Sequence, residues 1–73
     1  MEKTVDELIQ PILKEIEFPV YYDDMGQFIF DQDGRMLIDV RGWGWIQKLG
    51  PDADKMQAAF GKKLCEMINS LKP

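Results

Sequence analysis

At 73 residues, with 13 acidic against 9 basic side chains and no histidine, the chain carries a net charge of -4. A domain this short buries only about 60% of the surface its unfolded form exposes, which leaves room for one modest core and none for a second. The acidity argues against a surface built mainly for phosphates, while an apolar fraction of 45% with 11% aromatics is that of a folded chain and not of a disordered one.

The first expected element is a helix. Thr4-Val5-Asp6-Glu7 reads as a capping box, with the Thr4 hydroxyl accepting from the Glu7 N–H and the Glu7 carboxylate reaching back. Val5, Leu8, Ile9, Ile12, Leu13 and Ile16 then recur at helical spacing and make one apolar stripe, expected to face the core. Pro11 interrupts the pattern at a cost of about 3 kcal/mol in isolation. The reading is a helix kinked there, with a helix that starts at Pro11 as the alternative.

Phe18-Pro19 ends that helix, Val20-Tyr21-Tyr22 suits a short edge strand, and Asp23-Asp24-Met25-Gly26 suits a turn. Residues 27–31 and 35–41 form the clearest hairpin, with Gly34 free to take the left-handed position of a three-residue loop. Pairing Asp31 with Arg35 sets Phe28 opposite Ile38 and Phe30 opposite Met36 on a core face. Ile29 then meets Leu37, and Gln27 meets Asp39, on an open face that also carries Asp31, Arg35 and Arg41. A register shifted by one residue would place Phe28 opposite Asp39 and mix the faces.

Gly50-Pro51-Asp52 signals entry to a second helix. Its expected stripe is Ala53, Met56, Phe60, Leu64, Met67, Ile68 and Leu71, and the small residues Ala58, Gly61 and Cys65 on its flank permit a tight contact with the sheet or the first helix, with a subunit contact as the alternative. The whole is expected to be one α+β domain over residues 1–73: a helix, a three-stranded antiparallel meander and a helix, with both helices on one face of the sheet.

Between the last strand and that helix stands Arg41-Gly42-Trp43-Gly44-Trp45-Ile46-Gln47, which holds both tryptophans. The flanking glycines permit positive φ or a close approach, and two indoles either fill a core or bind something. One indole is expected to be hidden and the other accessible, with Arg41 paired to Asp39 or packed across a ring. With Ile29, Leu37, Asp39, Arg41, Trp43, Trp45 and Gln47, the segment and the open sheet face form the candidate interaction surface.

Chemistry is not expected here. No histidine is present, Cys65 has the spacing of a buried helical position, and no serine has a base nearby in sequence. No catalytic, cofactor or metal residue is therefore assigned. From Asp31 a calcium loop would need Gly at the sixth position, where Met36 stands, and Gly42-Trp43-Gly44 lacks the rest of a dinucleotide-binding turn. The alternative is single-stranded nucleic acid, its bases stacked on Trp43 and Trp45 with Arg35, Arg41 and Lys48 meeting phosphates. A lone cysteine, a charged start and no run of about 18 apolar residues lead to the expectation of a cytoplasmic protein with no membrane role and no internal disulfide.

Residues 33–49, with Arg41-Gly42-Trp43-Gly44 followed by Ile46-Gln47 at their centre, resemble a small family of uncharacterised proteins of bacteriophages, prophages and some bacterial genomes. The resemblance covers roughly the C-terminal two thirds and implies a phage or mobile-element setting without implying a reaction. Trp45 departs from the polar or basic residue expected in that family, which makes this chain less cationic. The combined expectation is a noncatalytic module that binds an unknown protein partner or pairs with itself as a homodimer.

Overall fold

Thr4 accepts a hydrogen bond from the Glu7 N–H at 3.2 Å while the Glu7 carboxylate accepts from the Thr4 N–H at 3.3 Å, so the capping box is formed. It opens helix α1, Val5–Glu15, in the computed structural model of the chain, which describes residues 2–73. The helix runs through Pro11. Pro11 and Glu7 are both exposed, so water can satisfy the Glu7 carbonyl that proline leaves without its usual donor.

Strands β1 (Tyr21–Asp23), β2 (Phe28–Phe30) and β3 (Met36–Asp39) follow as an antiparallel meander in the order β1-β2-β3, then a 3-10 segment, Arg41–Leu49, and helix α2, Ala53–Asn69. The chain thus has the expected helix, three-stranded meander and helix. The helical character of residues 41–49, expected as a strand exit and turn, is a correction. Its glycines are another: neither Gly42 nor Gly44 has positive φ, and an added Cβ at either would meet nothing within 4 Å.

The hairpin combines two registers. Near the loop, the Asp31 N–H donates to the Arg35 carbonyl at 3.0 Å, Phe30 pairs with Met36, and Gly34 takes φ +80°, all as the three-residue loop requires. Beyond it, Ile29 pairs with Ile38 and Phe28 with Asp39, which leaves Leu37 as the extra residue of a bulge. Ile29 is therefore not an open-face partner of Leu37; it is fully buried at 0% exposure. Asp31, also expected on the open face, is likewise buried.

The physical reason lies in α2. Its buried positions are Ala53, Gln57, Gly61 and Cys65, so the strip of small side chains faces inward. A Cβ built on Gly61 would stand 2.5 Å from Cδ2 of Tyr22, which shows how closely helix and β1 approach. The narrow space left takes branched aliphatic residues, and Val20, Ile29, Val40 and Cys65 form the central cluster. Phe28 and Phe30 go to the other side of the sheet, where their ring centroids are 5.6 Å apart and Phe30 lies 6.0 Å from Tyr21. The larger side chains Met56, Phe60, Met67 and Leu71, expected in the core, are exposed.

The entry to the meander is tied across the chain. The Asn69 side chain accepts from the Val20 N–H at 2.7 Å and donates to the Val20 carbonyl at 3.1 Å, as a neighbouring strand would. Elsewhere the packed element pairs are β1 with β2, β2 with β3, α2 with β1, and α2 with the 3-10 segment. Helix α1 has no comparably packed partner and meets the core through Ile16 near its C-terminal end. The result is elongated, 49 × 27 × 18 Å, with a radius of gyration of 14.3 Å. A compact chain of this length has about 11 Å.

Candidate interaction surface

The 3-10 segment begins at Arg41, whose backbone N–H and guanidinium both donate to Asp39, the latter at 2.8 Å from Nη2 and 3.0 Å from Nε. The side-chain and backbone hydrogen bonds from Arg41 outweigh the effect of burial and hold the Asp39 carboxyl below its ordinary 3.8. The same guanidinium lies 5.0 Å from the Phe28 ring centroid, a cation over an aromatic face. Asp39 and Arg41 remain on the surface, as expected, but Arg41 is already engaged by a carboxylate and a ring. The expected choice between Asp39 and an indole resolves to Asp39, with Phe28 in the indole's place.

The tryptophans part company. Trp43 is half-buried, packs with the central cluster, and has its ring centroid 5.0 Å from that of Phe60 on α2. Trp45 is 58% exposed. Ile46, between Trp45 and Gln47, is buried; the helical backbone is interrupted at Trp43, and Leu49, three residues after Ile46, is exposed. Gln47 is exposed and donates to Asp54 at 3.1 Å, bracing the segment against the first turn of α2. Of the expected surface, Asp39, Arg41, Trp45 and Gln47 are exposed, Trp43 and Leu37 are half-buried against the core, and Ile29 is withdrawn into it.

Periodicity did not distinguish the surface that α1 supplies. Leu13 is buried and Ile16 half-buried, whereas Val5, Leu8 and Ile12 are 74%, 58% and 58% exposed. The stripe is thus split lengthwise, one edge turned to the body and the other to solvent. On α2, Met56, Phe60 and Met67, with Leu71 just past its end, add a second set of exposed apolar side chains. Contiguous exposed apolar patches of more than a few hundred Å² are rare on soluble monomers, which makes these two rows the apolar candidates for an interaction surface.

A third feature is polar. Tyr22, Asp24, Gln27, Asp54 and Gln57 line an open depression of about 300 Å³. It holds two carboxylates, and among the described residues no group of three potential metal ligands occurs. Cys65, the lone thiol, is buried, and burial pushes its pKa up, away from the nucleophilic thiolate. Among the described residues no helix is long and apolar enough to cross a membrane. No family model, curated protein or solved structure matches the chain.

Proposed function

We propose that the chain is a noncatalytic protein-interaction module whose binding surface is the solvent edge of α1 together with the exposed row of α2. One observation carries this reading: Val5, Leu8 and Ile12 form the apolar face of a capped helix yet lie outside the core. An isolated helix of 11 residues is marginal in water, and helices this short owe most of their stability to packing of the apolar face. A partner supplies that packing. Trp45, at 58% exposure, is an accessory anchor of the type enriched at interfaces. The absence of histidine from the sequence and the buried, raised thiol of Cys65 support a noncatalytic role. The resemblance of residues 41–47 to phage and prophage proteins supports a mobile-element setting within a bacterial cytoplasm.

The test is a double substitution, Leu8→Glu with Ile12→Glu, compared with the wild type by denaturant unfolding and by binding, either to itself or to proteins retained from a host extract. Unfolding of the strand-and-α2 body should stay within about 0.5 kcal/mol of the wild type, as for surface sites, while binding is lost. Collapse of the whole fold would make the α1 edge a core element and end the proposal. Low-salt oligonucleotide titration, followed by tryptophan fluorescence, examines the nucleic-acid alternative. Engagement of Arg41 by Asp39 and of Trp43 by Phe60 favours no response.

A further inference from the structure

We infer that the partner of α1 is a second copy of this chain, with α1 of each copy seated on the exposed row of α2 of the other; this rests on the interaction reading above. Three independent observations support the assignment.

The first is area. The chain exposes 5599 Å², whereas a compact monomer of 8.5 kDa exposes roughly 4,650 Å², a surplus of roughly 950 Å². A stable protein interface removes about 800 Å² from each partner. The surplus therefore matches one ordinary interface per copy. The shape is elongated as well: the radius of gyration exceeds that of a compact chain by about 3 Å, and α1 has no closely packed partner in its own chain.

The second is the match of the two faces. Helix α1 has 11 residues and is about 16 Å long; α2 has 17 and is about 25 Å long, so the whole of α1 fits along α2. Each row has two apolar side chains four residues apart and then, three residues on, a charge, that of Lys63 being shared with Glu66 at 3.1 Å. On α1 the row is Leu8, Ile12 and Glu15; on α2 it is Met56, Phe60, Lys63 and Met67. The flanking charges are also opposite: residues 2–17 hold five acidic and two basic side chains, and residues 53–73 hold two acidic and four basic. The α2 region is net positive, and the α1 region is acidic.

The third is why α1 does not cover its own α2. The segment that leaves α1 is clamped at Glu17, whose N–H donates to Asp31 at 3.2 Å and whose carbonyl accepts from the Gln32 N–H at 2.8 Å. This ties the exit of α1 to the hairpin loop, and within the chain α1 is not among the elements packed on α2. A neighbouring copy has no such restriction. With the two copies related by a twofold axis, α1 of each lies on α2 of the other and the contact closes as a dimer, whereas the same faces joined without that axis would build larger assemblies, which sedimentation would show as masses above the dimer.

Sedimentation of the full chain from about 1 to about 200 μM, the range over which mass action reveals such a dimer, should show twice the 8.5 kDa mass. Ile12→Glu and Met67→Glu should each sediment as monomers that still unfold cooperatively, with helical circular dichroism lowered by no more than the loss of the 11 residues of α1. Mixing the two variants should restore a dimer, because the intact α1 of one meets the intact α2 row of the other. A wild type that is monomeric throughout overturns the inference. A Met67→Glu variant that still dimerises while Ile12→Glu does not also overturns it, since α1 would then be pairing with α1. A monomeric chain whose Leu8 and Ile12 edge binds a different protein removes self-pairing and leaves the interaction reading; neither dimer nor binding removes both.

Discussion

The carboxylate of Asp31 accepts a hydrogen bond from the backbone N–H of Glu17 at 3.2 Å, joining the hairpin loop to the exit of α1 across 14 positions of sequence. The other carboxylate oxygen accepts from the Arg35 N–H at 2.8 Å and the Asp33 N–H at 3.1 Å, so one fully buried side chain organises both the loop and the helix exit. Burial alone would raise the Asp31 pKa; the three backbone donors, from Arg35, Glu17 and Asp33, and the Arg35 charge outweigh it and hold the carboxyl below 3.8.

This linkage predicts an acid-sensitive fold. A depressed native pKa contributes stability that is present above the unfolded value of 3.8 and lost as pH falls through the lower, folded value. Asp31→Asn should lower stability at neutral pH, because its amide NH2 must face at least one backbone donor. The gap between wild type and variant should narrow below pH 3.8. Urea midpoints measured from pH 7 to about pH 2.5 check this, and a gap independent of pH would contradict the assigned ionised form.

Asn69→Ala removes both partners of the Val20 backbone at the sheet edge, where Val20 is buried. Leaving such a group unsatisfied costs about 1–3 kcal/mol. Equilibrium denaturation should show a loss in that range, together with faster amide exchange at Val20. Unaltered exchange there would show that water replaces the side chain without cost.

Gly61→Ala and Gly44→Ala should differ in sign. In a helix, alanine is ordinarily favoured over glycine by about 1 kcal/mol. At Gly61 the new Cβ meets Cδ2, Cε2 and Cγ of Tyr22 at 2.5, 2.8 and 3.0 Å, so the ring and the helix must separate. A net loss of about 1–3 kcal/mol is expected from overpacking. Gly44 has no atom within 4 Å of its Cβ position and no positive φ, so Gly44→Ala should gain a few tenths to about 1 kcal/mol. Thermal unfolding of the two variants side by side is sufficient.

The indoles should separate in the same way. Trp43→Ala removes a half-buried ring packed on Phe60 and should cost about 2 kcal/mol, below the full cost of a core aromatic. Trp45→Ala should change stability by less than about 0.5 kcal/mol. Quenching of the remaining tryptophan by iodide should be strong in the Trp43→Ala protein and weak in the Trp45→Ala protein. Equal quenching would contradict the difference in exposure.

The helix–meander–helix order was legible because capping chemistry, turn residues and apolar periodicity are local signals: Thr4 with Glu7, Gly34 in its loop, and the run after Pro51 all act within a few residues. The choice of face was not. Helix α2 carries two overlapping rows, a bulky one through Met56, Phe60 and Met67 and a slimmer one through Gln57, Gly61 and Cys65, and close approach to Tyr22 selects the slimmer. The bulge at Leu37 then lets β3 follow the loop register at one end and the core register at the other. As for the site, Asp39, Arg41 and Trp45 lie on the surface as expected, while Ile29 was misplaced by the register. The exposed edge of α1 had no sequence signature. An amphipathic stripe is the same whether its cover lies in its own chain or another.

The pairing of Val20 with Asn69 spans 49 positions and couples the entry of the first strand to the last turn of the terminal helix. During synthesis, β1, β2 and β3 emerge before α2 exists to cover Ile29 and Val40, so the sheet cannot close until α2 has left the ribosome. A nascent chain arrested before Asn69 would present an unfinished apolar sheet to chaperones and proteases.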